Sequence, residues 1–236
     1  AEPPAPTVLF EDERVIMVAK EAHEEMRSLE KRVRKLENAD DAVAVNAFDR
    51  STSGVVLFVR YADQLAPWTN ALRGENALVA FVVGCRGITR EKGVISRGNK
   101  KYARQISTRY RRLAIVGGHS LVRVIATHGS AGESSDLLVA KHLAEVGHPL
   151  VGDARSGDAR TNRFFEEKHT LDRPFIHALR IELDRPDNGA RLIVEAPLAG
   201  DLRIVLHRLT TKEILAKLEE KNALGGNAKS QAAQEA

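Results

Sequence analysis

Short apolar runs rich in β-branched residues constrain the fold of this chain more than any other feature. Their lengths, about six residues, suit strands better than helices. A further segment, Arg104–Tyr110, alternates polar and apolar residues, as a strand with one exposed face or edge does. The predicted apolar strands are Arg14–Ala19, Gly54–Arg60, Ala77–Val83, Leu121–Ala126, Phe175–Leu183 and Arg191–Glu195.

Helical spacing of apolar residues is found in fewer places. It predicts helices at Glu24–Glu37, Gln64–Leu72 and Asp136–Val146. A last helix is predicted from Thr210 to Gly225, with Glu213 completing a capping box. Strands outnumber helices and do not alternate strictly with them. The pattern favours an α+β fold with a mixed sheet over a doubly wound parallel sheet.

The composition excludes several classes of protein. The chain has 236 residues, 43% of them hydrophobic, which is enough for a core of its own. Its one cysteine, Cys85, permits no internal disulfide and no thiolate zinc cluster, so we expect a reducing intracellular compartment. The histidines lack metal-binding spacing, nucleotide-binding glycine loops are absent, and no apolar run is long enough for a membrane span. We therefore expect no metal, no cofactor and no membrane partner.

The basic charge is concentrated in one segment. The chain carries 36 Lys and Arg against 32 Asp and Glu, and residues 97–112 hold seven basic residues and no acidic one. Guanidinium and ammonium groups bind phosphates, and the interleaved tyrosines Tyr102 and Tyr110 can stack on bases. The segment predicts RNA binding, with a solvated basic hairpin as the alternative. The residues assigned to RNA are Lys100, Lys101, Arg104, Arg109, Arg111 and Arg112.

The two ends differ in composition from the rest. We predict a flexible segment at 1–7, one domain at 8–224 and a disordered tail at 225–236. The proline-rich start without methionine is interpreted as a trimmed chain. With the basic balance, it favours a mitochondrial over a cytoplasmic location.

The segment Asn46–Gly54 is the strongest candidate for a site. It places Asp49 after an apolar stretch and before a Thr-Ser-Gly turn that leads into the next predicted strand. A carboxylate there could lie at the floor of a pocket, held by hydroxyl and backbone N–H groups. The alternative is an ordinary Asx-type turn cap.

Several motifs, in order, resemble the catalytic domain of the RluA-type pseudouridine synthases. The resemblance extends from about Val8 to Leu206. It is carried by Val8–Lys20, Asp49–Gly54 (family pattern D-R-x-T-S-G), His142–Ala144, Gly147–Asp153 (G-H-P-L-x-G-D), Ile176–Ala178 and Ala196–Leu198.

The resemblance implies a fold and a chemistry. The fold is a mixed, largely antiparallel sheet flanked by helices, with a basic cleft for RNA. In the reaction, a uridine is flipped out of its stack, an aspartate attacks or deprotonates the nucleotide, and the base is reattached through carbon without a metal or cofactor. The motif match assigns the catalytic role to Asp49, and its neighbour Arg50 is added to the RNA-binding set.

Three positions depart from the family pattern. Asn46-Ala47 replaces a His-Arg pair whose arginine enters the RNA stack, Leu78 replaces the tyrosine that packs on the target base, and Ala140 replaces the arginine that pairs with the aspartate. These losses predict a degenerate, inactive member that binds structured RNA, chiefly rRNA. Such a protein would act in ribosome assembly or structure beside ribosomal or assembly proteins.

Two alternatives remain open. In the first, the protein is an active synthase, in which Arg50 or a residue of the Gly129–Ser135 insertion replaces the missing partners of Asp49. In the second, it is a protein-binding module that uses the predicted amphipathic helices at 24–37 and 210–224 and makes no RNA contact.

Overall fold

The computed structural model describes residues 3–98, 105–126 and 135–225. Ten strands in these ranges form one sheet. They are β1 (Thr7–Glu11), β2 (Val15–Lys20), β3 (Val43–Ala44), β4 (Ser53–Val59), β5 (Leu78–Cys85), β6 (Lys92–Gly98), β7 (Gln105–Val116), β8 (His119–Ala126), β9 (Ile176–Asp184) and β10 (Arg191–Glu195).

Six α-helices accompany the sheet in the described ranges. They are α1 (Met26–Val33), α2 (Leu65–Leu72), α3 (Ser135–Glu145), α4 (Ala159–His169), α5 (Gly200–Leu209) and α6 (Lys212–Glu220), and a 3-10 turn at Ala62–Gln64 precedes α2. None of these helices is long and apolar enough to cross a membrane.

The sheet is mixed and largely antiparallel, which confirms the predicted fold class. The strands lie in the order β1-β2-β4-β9-β5-β8-β7-β6, with β10 beside β9 and β3 beside β4. Among the described pairings only β4–β9 is parallel, and it joins Ser53 to His177 and Gly54 to Ala178. This short contact connects the two halves of the sheet beside the Asp49 segment.

The two faces of the sheet support separate cores. Alternation along β5 sends Phe81 into a core with α1, α2 and α3, and Val82 into one with α4, α5 and α6. Fully buried Trp68 and Leu143 belong to the first core, and Phe165 belongs to the second.

The sequence predictions of elements have exceptions. Strands β1, β3 and β6 and helices α4 and α5 are not among the predicted elements. The last helix is capped one residue later than predicted, because the Thr211 side chain accepts the Ile214 N–H while Thr210 ends α5. Residues Lys100, Lys101 and Arg104, most of the Gly129–Ser135 insertion and the tail after Gly225 lie outside the described residues.

Candidate active site

Asp49 lies in the loop between β3 and β4, with both carboxylate oxygens engaged. Oδ1 accepts the Ser51 backbone N–H at 3.0 Å and the Ser51 hydroxyl at 2.7 Å. Oδ2 accepts Nη2 of Arg155 at 2.8 Å. The Asp49 side chain is 16% exposed, so the ion pair is at the edge of solvent.

These contacts decide the charge of the carboxyl group. Burial would raise the pKa of Asp49, but the Ser51 hydrogen bonds and the Arg155 guanidinium outweigh it and lower the pKa to about 2. Asp49 is therefore an ionised carboxylate at physiological pH.

The guanidinium partner corrects one sequence prediction. The expectation that Asp49 lacks such a partner, because Ala140 replaces the family arginine, is wrong: Arg155 supplies it from another part of the chain. Arg50, which was suggested as a replacement for that arginine, is exposed, and its Nε lies 3.7 Å from Oε1 of Glu25 instead. The one available signal for Arg155 is its position two residues after the Gly147–Asp153 motif.

Hydrogen bonds with Asp153 and Asn162 hold the loop that carries Arg155. The Arg155 backbone N–H donates to Oδ1 of buried Asp153, and the Asn162 amide of α4 bridges the Gly152 N–H and the Asp153 carbonyl. Gly152 has φ +82°, and a Cβ there would lie 2.1 Å from the Arg173 carbonyl oxygen. Only glycine permits this close approach.

Two buried cations hold the backbone after Asp49. Lys20 Nζ donates to the carbonyls of Arg50 at 3.1 Å and Thr52 at 2.7 Å, and Arg173 Nη1 donates to that of Ser51 at 3.0 Å. Desolvation is the main reason that the pKa of Lys20 is lowered to about 8. Three successive carbonyls are thus bound by cationic donors, which are stronger than neutral ones.

Arg173 is itself held by a network that crosses the sheet. Its guanidinium binds both carboxylate oxygens of Asp201 on α5, at 2.6 and 2.9 Å, and donates to the Ser53 hydroxyl at 3.0 Å. Ser53 lies 2.9 Å from His177 Nδ1, and His177 Nε2 lies 3.1 Å from the Ala196 carbonyl, which assigns the ring proton to Nε2. Burial lowers the pKa of His177 to about 4, so the ring is neutral.

Asp136, at the start of α3, is a second carboxylate in the site that the sequence analysis did not identify. It is 1% exposed, and its Oδ2 accepts the Asp49 backbone N–H at 2.9 Å and the Thr52 hydroxyl at 2.6 Å. Its Oδ1 is buried and makes no hydrogen bond. Helix α3 therefore holds the loop through an acidic side chain.

The three departures from the family pattern lie in different surroundings. Ala47 is exposed beside buried Phe48, whose ring packs edge-on against Phe81 at 5.8 Å. Leu78 pairs with Glu182 and, by alternation, lies on the opposite face of β5 from Phe81. Ala140 packs half-buried against the α1–α3 core.

The described part of the basic segment divides between the two sheet faces. Arg109 and Arg111 are exposed and share one face of β7. Arg112 points to the other face and donates to the Thr89 carbonyl, so it is engaged inside the fold. In residues 3–98, 105–126 and 135–225, no group of three His, Cys, Asp or Glu side chains could hold a metal ion.

Comparisons with known proteins agree with these motifs. The chain is 22% identical over 241 residues to the tRNA pseudouridine synthase C of Pectobacterium carotovorum, covering 90% of this chain and 64% of the relative. It is 23% identical over 232 residues to the ribosomal large subunit pseudouridine synthase C of Escherichia coli O157:H7, covering 87% and 70%. In sequence, the chain is therefore similar to RluA-type pseudouridine synthases over most of its length.

The fold comparison supports the same relationship. The human RNA pseudouridylate synthase domain containing 1 structure matches with a TM-score of 0.68 at 17% identity, covering 94% of this chain and 97% of that chain. The pseudouridine synthase fold is therefore present. No protein-family model matches the chain. The chain also spans less than two thirds of the Pectobacterium pseudouridine synthase.

Proposed function

We propose that this protein is an RNA pseudouridine synthase that isomerises uridine in tRNA or large-subunit rRNA. The ion pair between Asp49 and Arg155 carries the proposal. It keeps the motif aspartate ionised and oriented, whereas the sequence predicted that Asp49 has no guanidinium partner. The substrate classes are those of the two similar proteins described above, a tRNA and a ribosomal large subunit pseudouridine synthase.

The proposed chemistry rearranges one nucleotide. Asp49, as a carboxylate, attacks or deprotonates the flipped uridine; the bond from C1′ to N1 breaks, and one from C1′ to C5 forms. The hydrogen on C5 leaves as a proton to solvent, and N1, released from C1′, takes up a proton from solvent. The product is an isomer of the substrate, so no oxidant, reductant or other co-reactant is required.

The surroundings of Asp49 support this role in two ways. Buried Lys20 and Arg173 fix the backbone on one side of the carboxylate, which keeps its position defined before RNA arrives. Arg155 is 64% exposed, and its loop reaches the carboxylate from the solvent side. It is therefore accessible to an incoming nucleotide.

The test is pseudouridine mapping of unmodified tRNA and large-subunit rRNA transcripts incubated with the purified protein. We expect at least one new pseudouridine with the unaltered chain and none with Asp49→Asn, which keeps the shape of the side chain but not its charge. Asp40→Asn, at an exposed aspartate, is the matched control and should retain the modification. If neither the unaltered chain nor Asp40→Asn forms pseudouridine at any position, the proposal is contradicted.

A second candidate is an inactive RNA-binding factor in ribosome assembly that works beside ribosomal or assembly proteins. It is favoured by Ala47 and Leu78, which supply neither a cation to enter the stack nor an aromatic ring for the base. This candidate predicts RNA binding that is unchanged by Asp49→Asn, with no pseudouridine formed by either protein.

A further inference from the structure

Four basic side chains lie together on one face of the sheet. Lys92 on β6 is directly opposite Arg111 on β7, and Arg111 is directly opposite Arg123 on β8. Arg109 lies two residues before Arg111, so it projects from the same face. We call Lys92, Arg109, Arg111 and Arg123 the basic row.

The basic row faces away from α3, the helix whose Asp136 accepts the Asp49 backbone N–H. Arg123 pairs with Val82, which packs into the core of α4, α5 and α6. The neighbouring positions on β7 point the other way: Thr108 hydrogen-bonds His142 of α3 at 2.7 Å. The basic row therefore lies on the sheet face that packs against α4, α5 and α6, next to the apolar core on that face.

The row is electrostatically unfavourable in the isolated protein. Like charges directly opposite each other in a sheet are destabilising. Within the described residues, Lys92, Arg109 and Arg111 are exposed and form no ion pair. Glu195, whose charge acts on Arg123, is itself paired with Arg180.

Arg123 gives a second, independent sign of a missing partner. Its Nε is buried and has no hydrogen-bond acceptor, and its one described hydrogen bond, to the Asn222 carbonyl, is long at 3.4 Å. Burial, with Arg180 and Arg111 nearby, lowers the pKa of Arg123, against the pull of Glu195. An anion placed over the row would relieve this repulsion.

We propose that the basic row is a docking surface for the phosphate backbone of RNA, separate from the site of Asp49 and Arg155. Cations on three neighbouring strands, about 4.8 Å apart from strand to strand, suit a chain of phosphates better than a single anion. Exposed guanidinium groups also offer the planar pairs of donors that phosphate oxygens accept. The inference rests on the RNA partner of the proposed function but not on catalysis.

The test measures RNA affinity against salt. A labelled 20-nucleotide single-stranded RNA is titrated by fluorescence anisotropy with the unaltered chain and with a triple variant, Lys92→Gln, Arg109→Gln and Arg111→Gln. A matched variant, Arg27→Gln, Lys31→Gln and Arg73→Gln, removes the same charge from exposed positions outside the row. Circular dichroism melts establish that all three proteins are folded.

The row variant should bind about 10- to 100-fold more weakly near 0.1 M salt, and the slope of log affinity against log salt should shrink by about 2. The matched variant should change neither quantity as much. Equal affinities and slopes for the two variants would overturn the inference. It would also be overturned if a poly-glutamate peptide displaced the labelled RNA more effectively than unlabelled RNA does. Pseudouridine mapping is scored separately, so loss of docking and absence of catalysis are distinguishable.

Discussion

At the scale of single residues, the decisive feature is that Asp49 is ionised and held. Its pKa of about 2 arises from two Ser51 hydrogen bonds and the Arg155 ion pair, which outweigh burial. Because the folded pKa lies below the unfolded value of about 3.9, these contacts stabilise the fold above pH 4. That contribution is lost as the pH falls towards 2.

Removing Arg155 should therefore raise the pKa of Asp49. We expect Arg155→Gln to move it upward towards its ordinary value while the Ser51 hydrogen bonds keep it somewhat depressed. A carbon-13 NMR titration of the Asp49 carboxyl measures this directly. Arg160→Gln, at an exposed arginine of α4, is the control and should leave the titration unchanged. An identical titration in both variants would contradict the role given to Arg155.

Asp136 provides a second prediction at this scale. Asp136→Ala removes the acceptor of the Asp49 N–H and the Thr52 hydroxyl, whereas Asp136→Asn keeps an acceptor oxygen. Unsatisfied buried donors cost about 1–3 kcal/mol each, so the alanine variant should lose clearly more unfolding free energy in urea than the asparagine variant. If both variants lose the same amount, the hydrogen bonds of Asp136 do not hold the loop.

The sequence identified Asp49 but not its partners, and the reason is physical. The Asp49–Gly54 motif is local, and its turn chemistry is written in adjacent residues. Arg155 and Asp136 lie 106 and 87 positions away in the chain, and they reach Asp49 only because the Gly152 loop and α3 are packed there. No spacing rule connects residues so far apart.

At the scale of elements, the site depends on the short parallel contact between β4 and β9. Gly54 has φ +128°, and a Cβ at this position would lie 2.2 Å from the Ala178 carbonyl oxygen. Any side chain would force the two strands apart. This close approach explains why the second residue of β4 is a glycine.

Gly54→Ala should therefore destabilise the fold by about 3 kcal/mol or more, combining the φ penalty with overpacking. Urea denaturation measures the loss. Gly200→Ala is the matched control, because a Cβ at the first residue of α5 meets no atom within 4 Å. A loss in Gly54→Ala no larger than in Gly200→Ala would contradict the close approach.

Sequence patterns predicted elements with continuous apolar runs. They missed α4 and β6, which bury little, and also α5, which buries Leu202, Val205 and Leu206. The strands β4, β5 and β9 are almost wholly buried, so their apolar runs are unbroken. Helix α4 buries only Phe165 among its described residues, which leaves no helical stripe to detect. Strand β6 was missed because basic and small residues interrupt its apolar positions.

At the scale of the whole molecule, the two cores are linked to the site through Arg173. Asp201 on α5 belongs to the α4–α6 side, and through Arg173 it supports the Ser51 carbonyl and the Ser53 hydroxyl. Arg173 is fully buried, so loss of its partner would leave an uncompensated charge. Helix α5 thus contributes, through Arg173, to the position of the loop that carries Asp49.

Asp201→Ala should destabilise the protein by about 3 kcal/mol and reduce pseudouridine formation, although Asp201 does not touch Asp49. Thermal or urea unfolding gives the first quantity and mapping the second. Asp40→Ala, at an exposed aspartate, should change neither. Full stability in Asp201→Ala would show that the guanidinium finds another partner and that the link is dispensable.

The central claim is that Asp49, paired with Arg155, isomerises uridine. Its most direct test is release of tritium from RNA transcribed with uridine labelled at C5, because the C5 hydrogen leaves only when the new carbon–carbon bond forms. We expect release that reaches a fixed number of sites per RNA with the unaltered protein and none with Asp49→Asn. Absence of release by the unaltered, folded and RNA-bound protein would contradict the account.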